Sequence, residues 1–191
     1  MSEEIRIVGI AGSLREGSFN RALIRAATEL SPSGVRITPF DLEGVPFYEA
    51  SLDEGDLPEP AARLKKAISE ADGVLIATPE YNYGIPGVLK NAIDWASRPG
   101  YRSPFRDKPV AILGASPSAI GTARAQQHLK LVLLGMAAAV FPWPEVAVAQ
   151  AMNRIEDGQV KDDGTREKIE ELLAGFADWI RAVRTYGANA R

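Results

Sequence analysis

Residues 73–78 read GVLIAT, apolar until the last position and with no polar alternation. A run this short suits a strand, and an apolar strand without alternation needs cover on both faces. Ile5 to Ala11 (IRIVGIA) and Val110 to Ala115 (VAILGA) are of the same kind. Val35 to Phe40 reads as a further strand, and Ala138 to Phe141 with Val146 to Val148 as a fifth, interrupted at Pro142-Trp143-Pro144. Helical spacing fills the intervals: Ser18 to Leu30, Ala61 to Ala71, Pro86 to Ser97, Thr122 to Leu134 and Thr165 to Arg184. Asp41 to Glu59, acidic and rich in proline, reads as a long surface loop. Strands alternating with helices predict one α/β domain over residues 1–185, a doubly wound five-stranded parallel sheet. Residues 186–191 are expected to be a frayed tail.

Composition removes much chemistry. The chain has no cysteine, which excludes disulfides, thiolate catalysis, Cys-ligated zinc and iron–sulfur clusters. One histidine, His128, leaves little for a histidine metal site or a Ser-His-Asp triad. Lys plus Arg is 22 against 25 for Asp plus Glu, a formal charge of −3. Nothing in that balance calls for nucleic acid or an anionic membrane as partner. The uncharged stretch at residues 131–144 is too short to span a bilayer and is broken by Gly135, Pro142 and Pro144. The acidic start at Met1 to Glu4 is unlike a leader, so a cytoplasmic location is expected.

Ligands of open α/β sheets bind beyond the carboxyl ends of the strands, where strand order reverses. Three loops belong there. Gly12 to Asn20 (GSLREGSFN) leaves a strand and opens a helix, whose free N–H groups and dipole favour an anion. Ser13 and Ser18 add hydroxyls, Asn20 an amide and Arg15 a planar fork for phosphate oxygens. The loop lacks the G-x-G-x-x-G of a dinucleotide fingerprint. Ser18 and Phe19 stand where a Walker A loop needs Lys and Ser/Thr. What remains suits one terminal phosphate. The same residues also read as a helix N-cap at Ser18 beside a solvated arginine. The second loop, Pro79 to Gly84 (PEYNYG), offers Tyr81, Tyr83 and Asn82 to a flat heterocycle, or is a polar turn before a proline helix start. The third, Gly114 to Thr122, leaves room and hydroxyls, Ser116 among them. Together they describe a planar, phosphorylated ligand.

GSLREGSFN and PEYNYGIPGVLKNAIDW (Pro79 to Trp95) are similar to the motifs of the NADPH-dependent FMN reductase family. These are flavodoxin-like enzymes that include soluble quinone and chromate reductases, and the likeness runs from Ile5 to about Arg184. The resemblance implies a flavodoxin-like fold with FMN bound and NAD(P)H as co-substrate. It implies hydride passing through flavin N5 to a small acceptor: a quinone, chromate, an azo compound or free FMN. Ser13, Arg15, Ser18, Phe19 and Asn20 would hold the phosphate and ribityl end. Pro79, Glu80, Tyr81, Asn82, Tyr83 and Gly84 would line the isoalloxazine, largely by backbone, with Ser116 at its far side. Ser118 stands where the family often has glycine. No side chain is required as acid or base and no metal is implied, since the cofactor carries the chemistry. Resembling enzymes are homodimers or homotetramers, which makes Arg124 and Glu145 candidate cross-subunit partners.

Other readings stand beside this one. A non-enzymatic, flavodoxin-type electron carrier would use the same loops, and so would a domain that merely binds a phosphorylated ligand. His128 is expected on an exposed or interface surface. Arg98, Tyr101, Arg102, Phe105 and Arg106 read as a solvated loop or as a clamp for pyridine-nucleotide phosphates.

Overall fold

β1 (Ile5–Ala11) runs through the middle of a parallel sheet, between β2 (Val35–Phe40) and β3 (Gly73–Ala77). β4 (Pro109–Ala115) pairs with the other side of β3, and β5 (Ala139–Val140) and β6 (Val146–Val148) both pair with β4. These elements come from a computed structural model that describes residues 4–189. The order β2-β1-β3-β4-β5 is the flavodoxin-like, doubly wound arrangement expected from the sequence. β5 and β6 are two halves of one edge position. The ladder breaks between them because Pro142 and Pro144 have no N–H to donate.

In chain order the helices are α1 (Phe19–Glu29), α2 (Ala50–Glu54), α3 (Glu59–Glu70), α4 (Gly87–Ala96), α5 (Ala123–Leu134) and α6 (Asp163–Asn189). All of β3 is buried, and its alternating side chains feed two cores. Val74 and Ile76 meet Leu64 and Ile68 of α3, Leu89 and Ile93 of α4, and Leu129 and Leu133 of α5. Leu75 and Ala77 meet Leu23 and Ile24 of α1 and Phe176 and Ile180 of α6. Each such aliphatic side chain contributes about 1.5–3 kcal/mol by leaving water. A polar residue on either face of β3 would lose that and remain unsatisfied.

Three stretches differ from the sequence reading. Residues 41–59 are not loop throughout: α2 interrupts them, too short for a helical period to show among the prolines. Beyond β6 the chain makes a small antiparallel hairpin, β7 (Ile155–Glu156) with β8 (Gln159–Val160). Its turn is Asp157-Gly158, both at positive φ (48° and 72°), the Asp-Gly pair that such two-residue turns prefer. Strands of two residues carry no readable alternation, so the turn dipeptide was the one available signal. Finally, α6 extends to Asn189, so Tyr186 belongs to a helix and not to a frayed tail; residues 190 and 191 lie outside the described residues. No proline follows Arg184 to stop the helix.

α6 begins earlier than its apolar stripe suggests, because Asp162 caps it. The Asp162 carboxylate accepts from Thr165 N (2.9 Å), Thr165 Oγ1 (2.6 Å) and Arg154 Nη1 (2.7 Å). The Thr165 hydrogen bonds, helped by Arg154, hold this carboxyl below the usual carboxylate range.

Candidate active site

Ala11, Ala77 and Ala115 end β1, β3 and β4 along one edge of the sheet. β1 and β3 mark the place where strand order reverses. The three loops singled out in the sequence leave from these ends and line a solvent-open cleft.

The first loop supplies Ser13, Arg15, Ser18, Phe19 and Asn20 to the cleft. Ser18 is the N-cap of α1; its Oγ accepts from Asn20 N (3.2 Å) and Arg21 N (3.4 Å), and its hydroxyl hydrogen remains to be donated. Ser13 Oγ accepts from Arg15 N at 3.3 Å. Arg15 lies over the Phe19 ring at 5.3 Å and makes no ion pair among the described residues. A guanidinium without a carboxylate, beside a helix N-terminus and two buried serines, is a donor set for an anion. Asn20 is different. Its Nδ2 donates to Ala115 O and its Oδ1 accepts from Ala115 N, both at 2.9 Å, in a buried site. The amide therefore fastens the start of α1 to the end of β4.

The second loop supplies Pro79, Glu80 and Tyr81 to the cleft, while Asn82, Tyr83 and Gly84 form the turn beyond its wall. Tyr81 and Gly84 exchange backbone hydrogen bonds (3.1 and 3.0 Å) across Asn82 and Tyr83, at φ of 50° and 65°. That conformation suits asparagine and disfavours tyrosine, so contacts have to hold the turn. Two do. Arg124 lies 4.4 Å from the Tyr83 ring centroid and donates to Glu80 Oε1 at 3.3 Å. Glu80 Oε2 accepts from Ala125 N at 3.0 Å, in the first turn of α5, where Thr122 makes no side-chain cap. The carboxylate is thus bound to the α5 N-terminus and is not placed as a general base. The turn leaves Tyr81 52% and Tyr83 70% exposed, and exposed His128 lies beside Gly84.

The rest of the second motif is structural. Asn91 Nδ2 and Trp95 Nε1 both donate to Pro46 O (2.8 Å each), and Asn91 Oδ1 accepts from Tyr48 N, pinning the loop after β2 onto α4. In the third loop, Ser116 lines the cleft and its Oγ accepts from Ser118 N at 3.2 Å. Ser118 Oγ donates to Gly121 O, so the serine found in place of glycine closes the loop on itself. Just before it, a Cβ at Gly114 would collide with Thr78 O and Thr122 Oγ1. No side chain fits where β4 enters the site.

Arg106 falls elsewhere than the sequence reading placed it, and two of the other charged residues pair within the chain. Arg124 pairs within its own chain, with Glu80, as does Glu145, with Lys130 at 2.9 Å. Arg106 lies with Arg6, Asp72 and Lys108 at the opposite, amino-terminal edge of the sheet, away from the three loops. Arg21 was missed: its Nε donates to Ser13 O (3.1 Å) and its Nη2 to Asp41 (2.8 Å), bracing the first loop from behind. Its spacing from Arg25, one turn on, was the available signal.

Residues 5–153 match the family model for NADPH-dependent FMN reductase. The chain belongs to that family. This FMN reductase family member is 44% identical over 185 residues to an NAD(P)H-dependent FMN reductase of Pseudomonas aeruginosa, covering 96% of this chain and 100% of the relative. It is 42% identical over 178 residues to a 2-hydroxy-1,4-benzoquinone reductase of a Burkholderia species, covering 93% and 97%. Among solved structures, the flavoenzyme NAD(P)H:(acceptor) oxidoreductase FerB of Paracoccus denitrificans superposes with a TM-score of 0.84 at 35% identity, covering 93% of this chain and 98% of that one. The family member is accordingly an oxidoreductase that uses FMN with NAD(P)H as electron donor. Among the described residues no group of His, Cys, Asp and Glu could hold a metal ion, and no helix is long and apolar enough to cross a membrane.

Proposed function

We propose that the cleft holds FMN, with its phosphate at the first loop and its ring system along the second, and that the acceptor is a quinone. The observation that carries this reading is the single cleft itself. It joins the unpaired Arg15 guanidinium, the α1 N-terminus, the Pro79 to Tyr81 stretch and Ser116. Arg15, the Ser13 and Ser18 hydroxyls and the Phe19 N–H at the start of α1 neutralise and orient the phosphate. Phe19 shields the Arg15 stem, and Asn20 keeps the phosphate loop at a fixed distance from Ser116. Pro79, Glu80, Tyr81, Asn82, Tyr83 and Gly84 present backbone groups to the ring edge, while Tyr81 and Tyr83 offer aromatic faces at the mouth. When bound, FMN supplies the hydride chemistry, taking a hydride from NAD(P)H and giving two electrons to the acceptor. Glu80 and Arg124 keep the turn in its disfavoured conformation, and no side chain has to move a proton for the donor half of the cycle.

The quinone is supported by the relatives' activities, one of them toward a benzoquinone, and by the open, aromatic mouth. The protein acts in the cytoplasm as a homodimer or homotetramer. α5 supports self-association, since Leu131 and Leu134 are 69% and 61% exposed on a helix whose opposite face is core. The FMN-loaded protein, given NADPH and 1,4-benzoquinone without oxygen, should form one hydroquinone per NADPH consumed. No hydroquinone from a protein whose flavin NADPH does reduce would overturn the quinone assignment.

A further inference from the structure

Behind the first loop, on the α1 side of the sheet, lies a second groove that the flavin reading does not use. Its origin is visible in β1. The side chains that face α1 are Ile5, Ile7, Gly9 and Ala11, two large and then two minimal. Ile24 and Ile37 close over Gly9, and a groove opens beside them toward the carboxyl end of β1. This groove has a volume of about 180 Å³ and is open to solvent, with Gly9 and Ala11 as floor and Ile24 and Pro39 as apolar wall.

Two guanidiniums line it, Arg21 and Arg25, one turn apart on the same face of α1. One carboxylate, Asp41, lines the same groove and accepts from Arg21 Nη2 at 2.8 Å. Arg21 is held further by Ser13 O, and Arg25 by Gly158 O, to which its Nε (3.3 Å) and Nη2 (2.9 Å) donate. Both arginines are thereby fixed in orientation. Arg25 forms no ion pair among the described residues, and the Nη1 groups of both have no hydrogen-bond partner there. Two prealigned guanidinium groups against one carboxylate leave a net positive charge beside an apolar floor.

We infer that this groove is a second binding site, one that takes a phosphoryl group carried on a compact apolar body. Paired guanidiniums match the oxygens of a phosphoryl group, and their rigid mounting reduces the ordering cost of binding. Asp41 opposes the ligand and limits its affinity.

The test uses the FMN-saturated protein, so that the flavin cleft is occupied, with phenyl phosphate as probe in a calorimetric titration. Phenyl phosphate should bind at one site per chain without releasing FMN. Arg25→Met, which keeps an apolar stem, should weaken it roughly tenfold or more. Asp41→Asn should tighten it several-fold. The second variant moves affinity in the opposite direction, so a loosened hairpin in the first cannot account for both. Affinity unchanged in both variants would overturn the proposal. So would absence of phenyl phosphate binding, or binding that only displaces FMN.

Discussion

FMN should be held roughly 30 to 1,500 times more weakly by a protein carrying Arg15→Ala and Ser18→Ala than by the unaltered chain. A hydrogen bond to a charged group is worth about 1.5–3 kcal/mol and a neutral one about 0.5–1.5. Losing the Arg15 fork and the Ser18 hydroxyl together removes about 2–4.5 kcal/mol of phosphate binding, which at about 1.4 kcal/mol per decade gives that range. Ser18 needs a control, because its oxygen also caps α1. Removing the cap costs about 1 kcal/mol of stability on its own. Ser18→Asp separates the two roles: aspartate caps equally well but sets a negative charge against the phosphate. Equilibrium dialysis should show flavin loss in both proteins, and urea unfolding a lower midpoint in the alanine protein alone. A Ser18→Asp protein that keeps its flavin would show that Ser18 is a cap and nothing more.

Asn20→Ala should be the costliest substitution in the cleft. It strands the Ala115 N–H and C=O, both buried and both served by this one amide. An unsatisfied buried group costs about 1–3 kcal/mol, so the pair costs about 2–6. At about 2–4 °C per kcal/mol for a chain of this size, the melting temperature should fall by roughly 5–20 °C. Flavin affinity should fall with it, because the phosphate loop and Ser116 lose their fixed spacing. Asn20→Asp should be intermediate: an oxygen still accepts from Ala115 N, but nothing donates to Ala115 O. Calorimetric melting of the apoprotein and FMN titration together measure both effects. A melting temperature within a degree of the unaltered protein would contradict the strut.

Much of this was legible from residue order. GVLIAT announced a strand covered on both sides, and the three loops that follow β1, β3 and β4 could be placed at one edge because parallel strands share a direction. Ser18 as N-cap and the resemblance carried by Pro79 to Trp95 were legible too. What was not legible depends on contacts between residues distant in sequence. Asn20 looks like a ligand group until Ala115, 95 positions away, is seen to use its amide. Nothing in the Pro79 to Gly84 motif shows that the Glu80 carboxylate caps α5 through the Ala125 N–H, 45 positions away. Arg124 and Glu145 found partners inside the chain. α2 and the β7–β8 hairpin were too short for periodicity to register, and the extended end of α6 has no stop signal that could have been read.

The cleft between the first and second loops is proposed to hold an FMN that NAD(P)H reduces directly. Anaerobic addition of NADPH to the yellow, FMN-loaded protein tests it, followed by visible absorbance. The account predicts that one equivalent of NADPH bleaches one equivalent of flavin, and that the Arg15→Ala, Ser18→Ala protein at the same total FMN bleaches far more slowly. A flavin that stays bound and yellow in excess NADPH would contradict it.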